Sequence, residues 1–157
     1  MKYLTILTIF FVSSLLSEDL KVKANQFDSD EKAGITIFRG DVNIIKAKDE
    51  LNASKVTIYT DAQHQPTKFV AEGNASFRIE TEKGASYRGK SQKVIYYPLI
   101  KEYHFFTNVY LRQIDEKKEI TGDEVVLKSI EGKAYAKGAH KEPVIMTFTM
   151  PEKEGKK

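Results

Sequence analysis

The amino-acid sequence predicts an all-β protein, and three observations carry that reading. Apolar and polar residues alternate with period two along short runs rich in β-branched and aromatic side chains. Clusters of turn-forming residues separate these runs about every 10 to 18 residues. A half-motif with a glycine at its bend returns about every 33 residues. Beyond the N-terminus no window of a dozen residues shows a helical apolar stripe.

The elements follow in order. Lys2, the apolar run at 3–12 (YLTILTIFFV) and the small residues Ser13, Ser14 and Ser17 have the layout of a secretory signal peptide over 1–17. The apolar run to Leu16 is shorter than the ~20 residues that span a bilayer. Cleavage is expected between Ser14 and Ser17, with an uncleaved anchor as the alternative. A β domain is expected over 18–150. Its runs are 35–38 leading into 42–44, then 56–59, 69–71, 75–79, 109–112, 125–127 and 146–149. Turn chemistry falls at 28–30, 47–50, 61–63, 82–84, 115–118 and 131–133. Pro66, Pro98, Pro143 and Pro151 sit between or beside strands, where a missing amide donor is tolerated. Residues 151–157 form a charged tail without an apolar anchor, expected to be disordered.

The repeat aligns Gly40-Asp41-Val42-Asn43-Ile44 with Gly73-Asn74-Ala75-Ser76-Phe77, then with Asn108-Val109-Tyr110-Leu111 and Gly138-Ala139. A second half-motif, 51–56, matches 87–94 with two extra residues, and 120–125. Such a period signals stacked units that bury one apolar face only against their neighbours. Gly40, Gly73, Gly89, Gly122 and Gly138 mark either a common corner at which each layer bends or ordinary turns.

Composition bounds the function. There are 25 Lys+Arg against 22 Asp+Glu, and Lys2 belongs to the leader, so no basic footprint for nucleic acid exists. There is no cysteine, which excludes a disulfide framework and a lipidated N-terminal cysteine and favours a bacterial periplasm. His64, His104 and His140 have no zinc-site spacing. No serine stands in a Gly-x-Ser-x-Gly elbow. The pairs Asp49-Glu50 and Asp123-Glu124 are neighbours whose side chains point apart, which reads as solvated turn rather than a carboxylate dyad. The chain is read as no enzyme, with no cofactor and no metal. Asn52 and Asn74 each fit Asn-x-Ser with a glutamate two places earlier, the pattern of some bacterial N-glycosylation systems.

The succession 20–25, 38–44 and 51–58 resembles the OstA-like domain family, with its apolar strand, "x-G-x-V-x-V" and "L-x-A-D-x-V-x-V". Asn108-Val109-Tyr110-Leu111-Arg112-Gln113 and Ile120-Thr121-Gly122-Asp123-Glu124-Val125 match the family's "G-N-V-x-L-x-Q" and "I-x-G-D-x-I/V". The likeness covers almost the whole mature chain, and size and leader place it with the LptA-like periplasmic members. The chain departs from the pattern where it loses a glycine before Asn108 and at Ser54, where the family often has Asp.

The resemblance implies a twisted, open, taco-like β-jellyroll that binds lipopolysaccharide by its lipid A acyl chains and stacks head to tail. The partners it implies are an LptC-like inner-membrane protein at the N-terminal edge and an LptD-like outer-membrane protein at the C-terminal edge. From the residues alone, alternation turns one set inward: Val22, Val42, Ile44, Val56, Ile58, Phe77, Ile79, Val94, Tyr96, Val109, Leu111, Val125 and Leu127. By itself that set fills a closed sandwich core. The resemblance makes part of it the wall of a lipid-binding groove. Leu20, Val22, Val144, Met146 and Phe148 are the expected stacking edges. A periplasmic β-rich scaffold or polysaccharide-binding protein, or an LptC-like member with an uncleaved anchor, is the competing reading.

Overall fold

The structure is a computed structural model that describes residues 19–152. The expected leader over 1–17 and the tail from 153 lie outside the described residues. Among the described residues ten strands form one antiparallel sheet: β1 (Leu20–Lys23), β2 (Gln26–Asp30), β3 (Ile35–Lys46), β4 (Asp49–Thr60), β5 (Pro66–Glu80), β6 (Ser86–Tyr97), β7 (Glu102–Gln113), β8 (Lys118–Lys128), β9 (Lys133–Lys137) and β10 (Ile145–Phe148). Strands β3 to β8 follow one another as a hairpin meander. At one end β1 and β2 pair with the two halves of β3, and at the other β10 and β9 pair with the two halves of β8.

The six long strands are bent in the middle, and the cause is a shared bulge. On β3 the register passes from Arg39↔Lys55 to Val42↔Ala53, so Gly40 and Asp41 face Ser54 alone. The same two-against-one step sets Gly73 and Asn74 of β5 against Gln92, and Thr107 and Asn108 of β7 against Asp123. All six bulged residues are left-handed, with φ of 80° and 45°, 86° and 46°, and 65° and 51°. The corners also stack closely. A Cβ on Gly40 would lie 2.6 Å from Asn25 Nδ2, and one on Gly73 would lie 2.7 Å from Ser54 Cβ.

The bend divides the sheet into two facing arms. One arm holds β2, 35–39, 55–60, 66–72, 93–97, 102–106, 124–128 and β9. The other holds β1, 42–46, 49–52, 75–80, 86–90, 109–113, 118–122 and β10. Their inner faces meet in a core whose fully enclosed members are Phe105, Leu111, Leu127, Val42, Val56, Val94, Val109 and Val125.

Several sequence expectations change. Residues 28–30 are not a turn but the end of β2; the turn lies at 31–34. Strand β9 was not foreseen, and Lys133 opens it rather than closing a turn. Asp49 and Glu50 begin β4. Val144 precedes the last strand, which ends at Phe148. The bend on β7 begins at Thr107, so the repeat of corners runs 40, 73, 107. Gly89, Gly122 and Gly138 are not left-handed. Gly89 is required by contact instead, since a Cβ there would sit 2.1 Å from the Tyr110 carbonyl oxygen.

The corners make opposite predictions for two substitutions. Gly73→Ala forces a side chain into a left-handed site already filled by Ser54, and should destabilise by about 1–3 kcal/mol. Thr107→Gly relieves a β-branched residue at positive φ and should stabilise by up to about 1 kcal/mol. Urea denaturation midpoints check both signs.

Candidate functional site

The arms part on the β1 side of the stack, where the interior opens as a cleft of about 430 Å³. Ile44, Leu51, Phe77 and Ile79 line it from one arm, and Phe69, Val94, Tyr96 and Tyr103 from the other. Leu20, Pro66, Pro98 and Leu99 extend the apolar lining to the rim. Four charged residues also line it, Lys46, Asp49, Glu50 and Asp61. An apolar wall with a polar margin suits an amphipathic ligand whose hydrocarbon enters and whose head stays wet.

The floor of the cleft is aromatic. Phe69 lies 5.9 Å from Tyr96, Tyr96 stacks on Tyr103 at 4.3 Å, and Tyr103 runs parallel to Phe105 at 6.2 Å. Phe105 then stacks on Phe77 of the opposite arm at 4.2 Å. That last pair spans the interior, so the core is packed around Phe105 while the β1 side is open.

Polar contacts also join the arms. Tyr103 donates its hydroxyl to Asp49 Oδ2 at 2.8 Å, across the two arms. Asp49 Oδ1 accepts the Glu80 amide at 2.9 Å. Burial, and then the Asp49 charge, push the Tyr103 phenol well above the ordinary tyrosine range. Further along, the turn after β5 reaches the opposite arm. The Glu82 amide donates to the Ser129 carbonyl at 3.3 Å. Lys101 pairs with Glu82 and holds its carboxyl below the usual carboxylate range. The exposed ion pair contributes little; the backbone bond and the buried Thr81 and Ser129 fix the approach. A smaller opening of about 190 Å³ lies at the β10 end, lined by Tyr87, Leu111, Ile120, Ala134 and Met146 among others.

The residues expected to form the inward set do share the interior face, but they divide. Ile44, Phe77, Ile79, Val94 and Tyr96 line the cleft. Val42, Val56, Ile58, Val109, Leu111, Val125 and Leu127 are buried core, and Val22 packs against it half-buried. Leu51, Phe69 and Tyr103 line the cleft without having been foreseen. All three lie in the first halves of strands whose second halves carry the expected inward residues. Asp49, expected to be solvated, instead accepts two hydrogen bonds at the joint between the arms.

Among the expected edges, Leu20 and Val22 lie on β1, which pairs only with β3. Met146 and Phe148 lie on β10, which pairs only with β8, and are 47% and 52% exposed. Val144 lies just before β10 and packs against the core.

A bent antiparallel sheet with an open apolar mouth and terminal strands paired on one side only defines an open-jellyroll class of fold. Comparison with known proteins agrees. A family model described as "LptA/(LptD N-terminal domain) LPS transport protein" matches residues 21–133. The chain belongs to that family, and so to the proteins of lipopolysaccharide transport. Among solved structures it is similar to LptH, described as the LptA homologous periplasmic component of the conserved lipopolysaccharide transport device from Pseudomonas aeruginosa. The TM-score is 0.75 at 16% identity, over 85% of this chain and 96% of that one. That likeness shows the shared open jellyroll fold. No curated protein matches the chain in sequence.

The Tyr103–Asp49 bond yields a prediction with a pH signature. Tyr103→Phe should lower stability by about 1–3 kcal/mol at neutral pH, because it leaves a half-buried carboxylate short of a donor. A raised folded-state pKa means that this contribution is complete below the unfolded tyrosine value of about 10 and is lost as pH rises above it. The deficit of Tyr103→Phe against the parent should therefore hold at pH 7–9 and shrink above about pH 10, read by urea denaturation at each pH.

Proposed function

We propose that the chain is a periplasmic bridge that carries lipopolysaccharide from the inner to the outer membrane, with the acyl chains of lipid A held in the mouth between the arms. The observation that carries this reading is the cleft itself: about 430 Å³ of apolar-walled space open on the β1 side, against about 190 Å³ at the β10 end. A scaffold or sandwich of the competing kind would close its core along the whole length. Each methylene transferred from water is worth about 0.8 kcal/mol, so a lipid with several chains gains enough to leave water and enter. Passage between like surfaces changes that burial little, so transfer along a stack can be nearly neutral and take its direction from energy supplied elsewhere.

Stacking is the second part of the proposal. Strands β1 and β2 end the sheet at one side, and β9 and β10 at the other. Leu20, Phe27, Met146 and Phe148 expose apolar side chains on these terminal strands. The N-terminal edge then receives an LptC-like protein and the C-terminal edge an LptD-like one, with further copies of the chain head to tail between them. Export of the chain by a cleaved leader belongs to the same reading.

Leu20 and Leu99 are 39% and 76% exposed at the rim, so glutamate there leaves the fold alone. Leu20→Glu and Leu99→Glu should each weaken binding of purified lipopolysaccharide about tenfold, or ~1.4 kcal/mol. Unchanged affinity in both, with the β-rich circular dichroism retained, would sink the groove assignment. Sedimentation tests the stacking separately. The parent should form larger species as concentration rises, and Phe148→Lys should shift the distribution toward monomer. A parent that stays monomeric at high concentration would remove self-association from the proposal.

A further inference from the structure

We propose that Asn74 is the acceptor of an N-linked glycan, placed on the outer spine of the bend. This rests on the periplasmic reading, because the acceptor must meet an exported glycosylation system.

The sequence offers two equivalent acceptors, Glu50-Leu51-Asn52-Ala53-Ser54 and Glu72-Gly73-Asn74-Ala75-Ser76. The fold separates them. Asn52 sits inside a continuous ladder, paired with Asn43 on one side and Ser76 on the other. Its side-chain oxygen accepts the Asn43 amide at 2.8 Å. The hydroxyl of its Ser54 is also engaged, donating to the Gly73 carbonyl at 3.2 Å. A transferase would have to break both bonds and open the sheet to reach it.

Asn74 has none of these restraints. It lies on the β5 bulge, where neither β4 nor β6 pairs with it. Its backbone is already turned out of the strand, at φ 46°. Asn74 and Ser76 are both exposed, and neither side chain makes a hydrogen bond among the described residues. Glu72 is half-exposed and loosely held, 3.9 Å from Lys55, so an acid is available two places before the acceptor.

The reaction needs a polyprenyl-diphosphate-linked oligosaccharide and a membrane-bound oligosaccharyltransferase. Asn74 Nδ2 bonds to the anomeric carbon and loses one proton. The bond from that carbon to the diphosphate oxygen breaks, and polyprenyl diphosphate leaves with the electron pair. The product is a bulky, neutral-to-polar group on the surface. Its position is compatible with the carrier function. Ser76 belongs to the outward row while Ala75 and Phe77 face the core, and β5 lies well inside the stack, away from both sets of terminal strands.

Intact-mass and glycopeptide mass spectrometry of the full chain purified from its native periplasm test this. The expected result is a mass above that of the mature polypeptide by one glycan, carried by the peptide containing Asn74. Asn74→Gln and Ser76→Ala should each abolish the addition, while Asn52→Gln should leave it. Ser76→Ala keeps the left-handed Asn74, so loss there cannot be laid to a disturbed bend. An unmodified mass, or a glycan on Asn52 alone, overturns the proposal. Lipopolysaccharide binding by Ser76→Ala should equal that of the parent, so failure of the glycan leaves the groove reading untouched, and the reverse.

Discussion

The structure depends on the paired left-handed residues at the corners of β3, β5 and β7. Each pair inserts one residue more than its neighbouring strand can match, and the strand has no flat way to absorb it. Because the pairs lie in adjacent hairpins, their kinks fall in line and turn a local irregularity into a crease running across the sheet. The crease brings one half of the sheet over the other, so a single meander supplies both walls of its own interior. Gly40 and Gly73 allow the layers to approach at that crease, with Asn25 and Ser54 filling the space a side chain would need. Without the crease the same strands would form an open sheet with one apolar face exposed to water, an arrangement that must find a partner or aggregate.

A crease fixes where the arms join, not how far apart they stand. That distance is set by what lies between them. Near β7 and β8 the interior holds Phe105, Leu111, Val125 and Leu127, all with essentially no exposure, and the Phe77–Phe105 stack spans the gap. On the β1 side Ile44 and Leu51 of one arm and Phe69 and Tyr96 of the other line an open cleft instead. The Tyr103–Asp49 bond stands at the boundary between these regimes and lines the cleft on its closed side. A carrier of the proposed kind would use both: the packed interior holds the bent sheet together, and the open side keeps apolar surface available for exchange.

Strand type and the inward residues of single runs were legible in the sequence, because period two is a local signal. What was not legible was the phase between the two halves of a strand. Strands β3, β5 and β7 keep parity through the corner: Phe69 and Ala71 face the same interior as Ala75, Phe77 and Ile79. Strands β4, β6 and β8 change it: Leu51 and Ala53 are inward, and then Val56 and Ile58. Tyr96 and Tyr87, or Val125 and Ile120, show the same switch. On β4 the alternation changes phase at the crease, which hides Leu51 behind Val56 and Ile58; Phe69 and Tyr103 keep the phase of Phe77 and Val109, and carrying that alternation back through the bulge reaches both. Strands β2 and β9 escaped for a different reason. Asp28-Ser29-Asp30 and Lys133-Ala134-Tyr135-Ala136-Lys137 have weak strand propensity and are exposed along their length, so only pairing with β3 and β8 makes them strands.

The same crease determines what can dock at the ends. Each terminal layer is split by the bend into two short strands on different arms: β1 and β2 at one side, β10 and β9 at the other. A flat sheet edge laid against such an end could satisfy the amides and carbonyls of one arm only. Satisfying both requires a partner bent through a similar angle, with its own apolar interior facing inward at the junction. Under the proposed stacking, edge exposure, ordinarily a route to indiscriminate pairing, would be restricted by shape to proteins that share the crease. In the proposed stack, main-chain hydrogen bonding would give the contact its strength and the bend its specificity. A junction made that way would place one mouth in line with the next, so that an apolar ligand could move along the stack without returning to water.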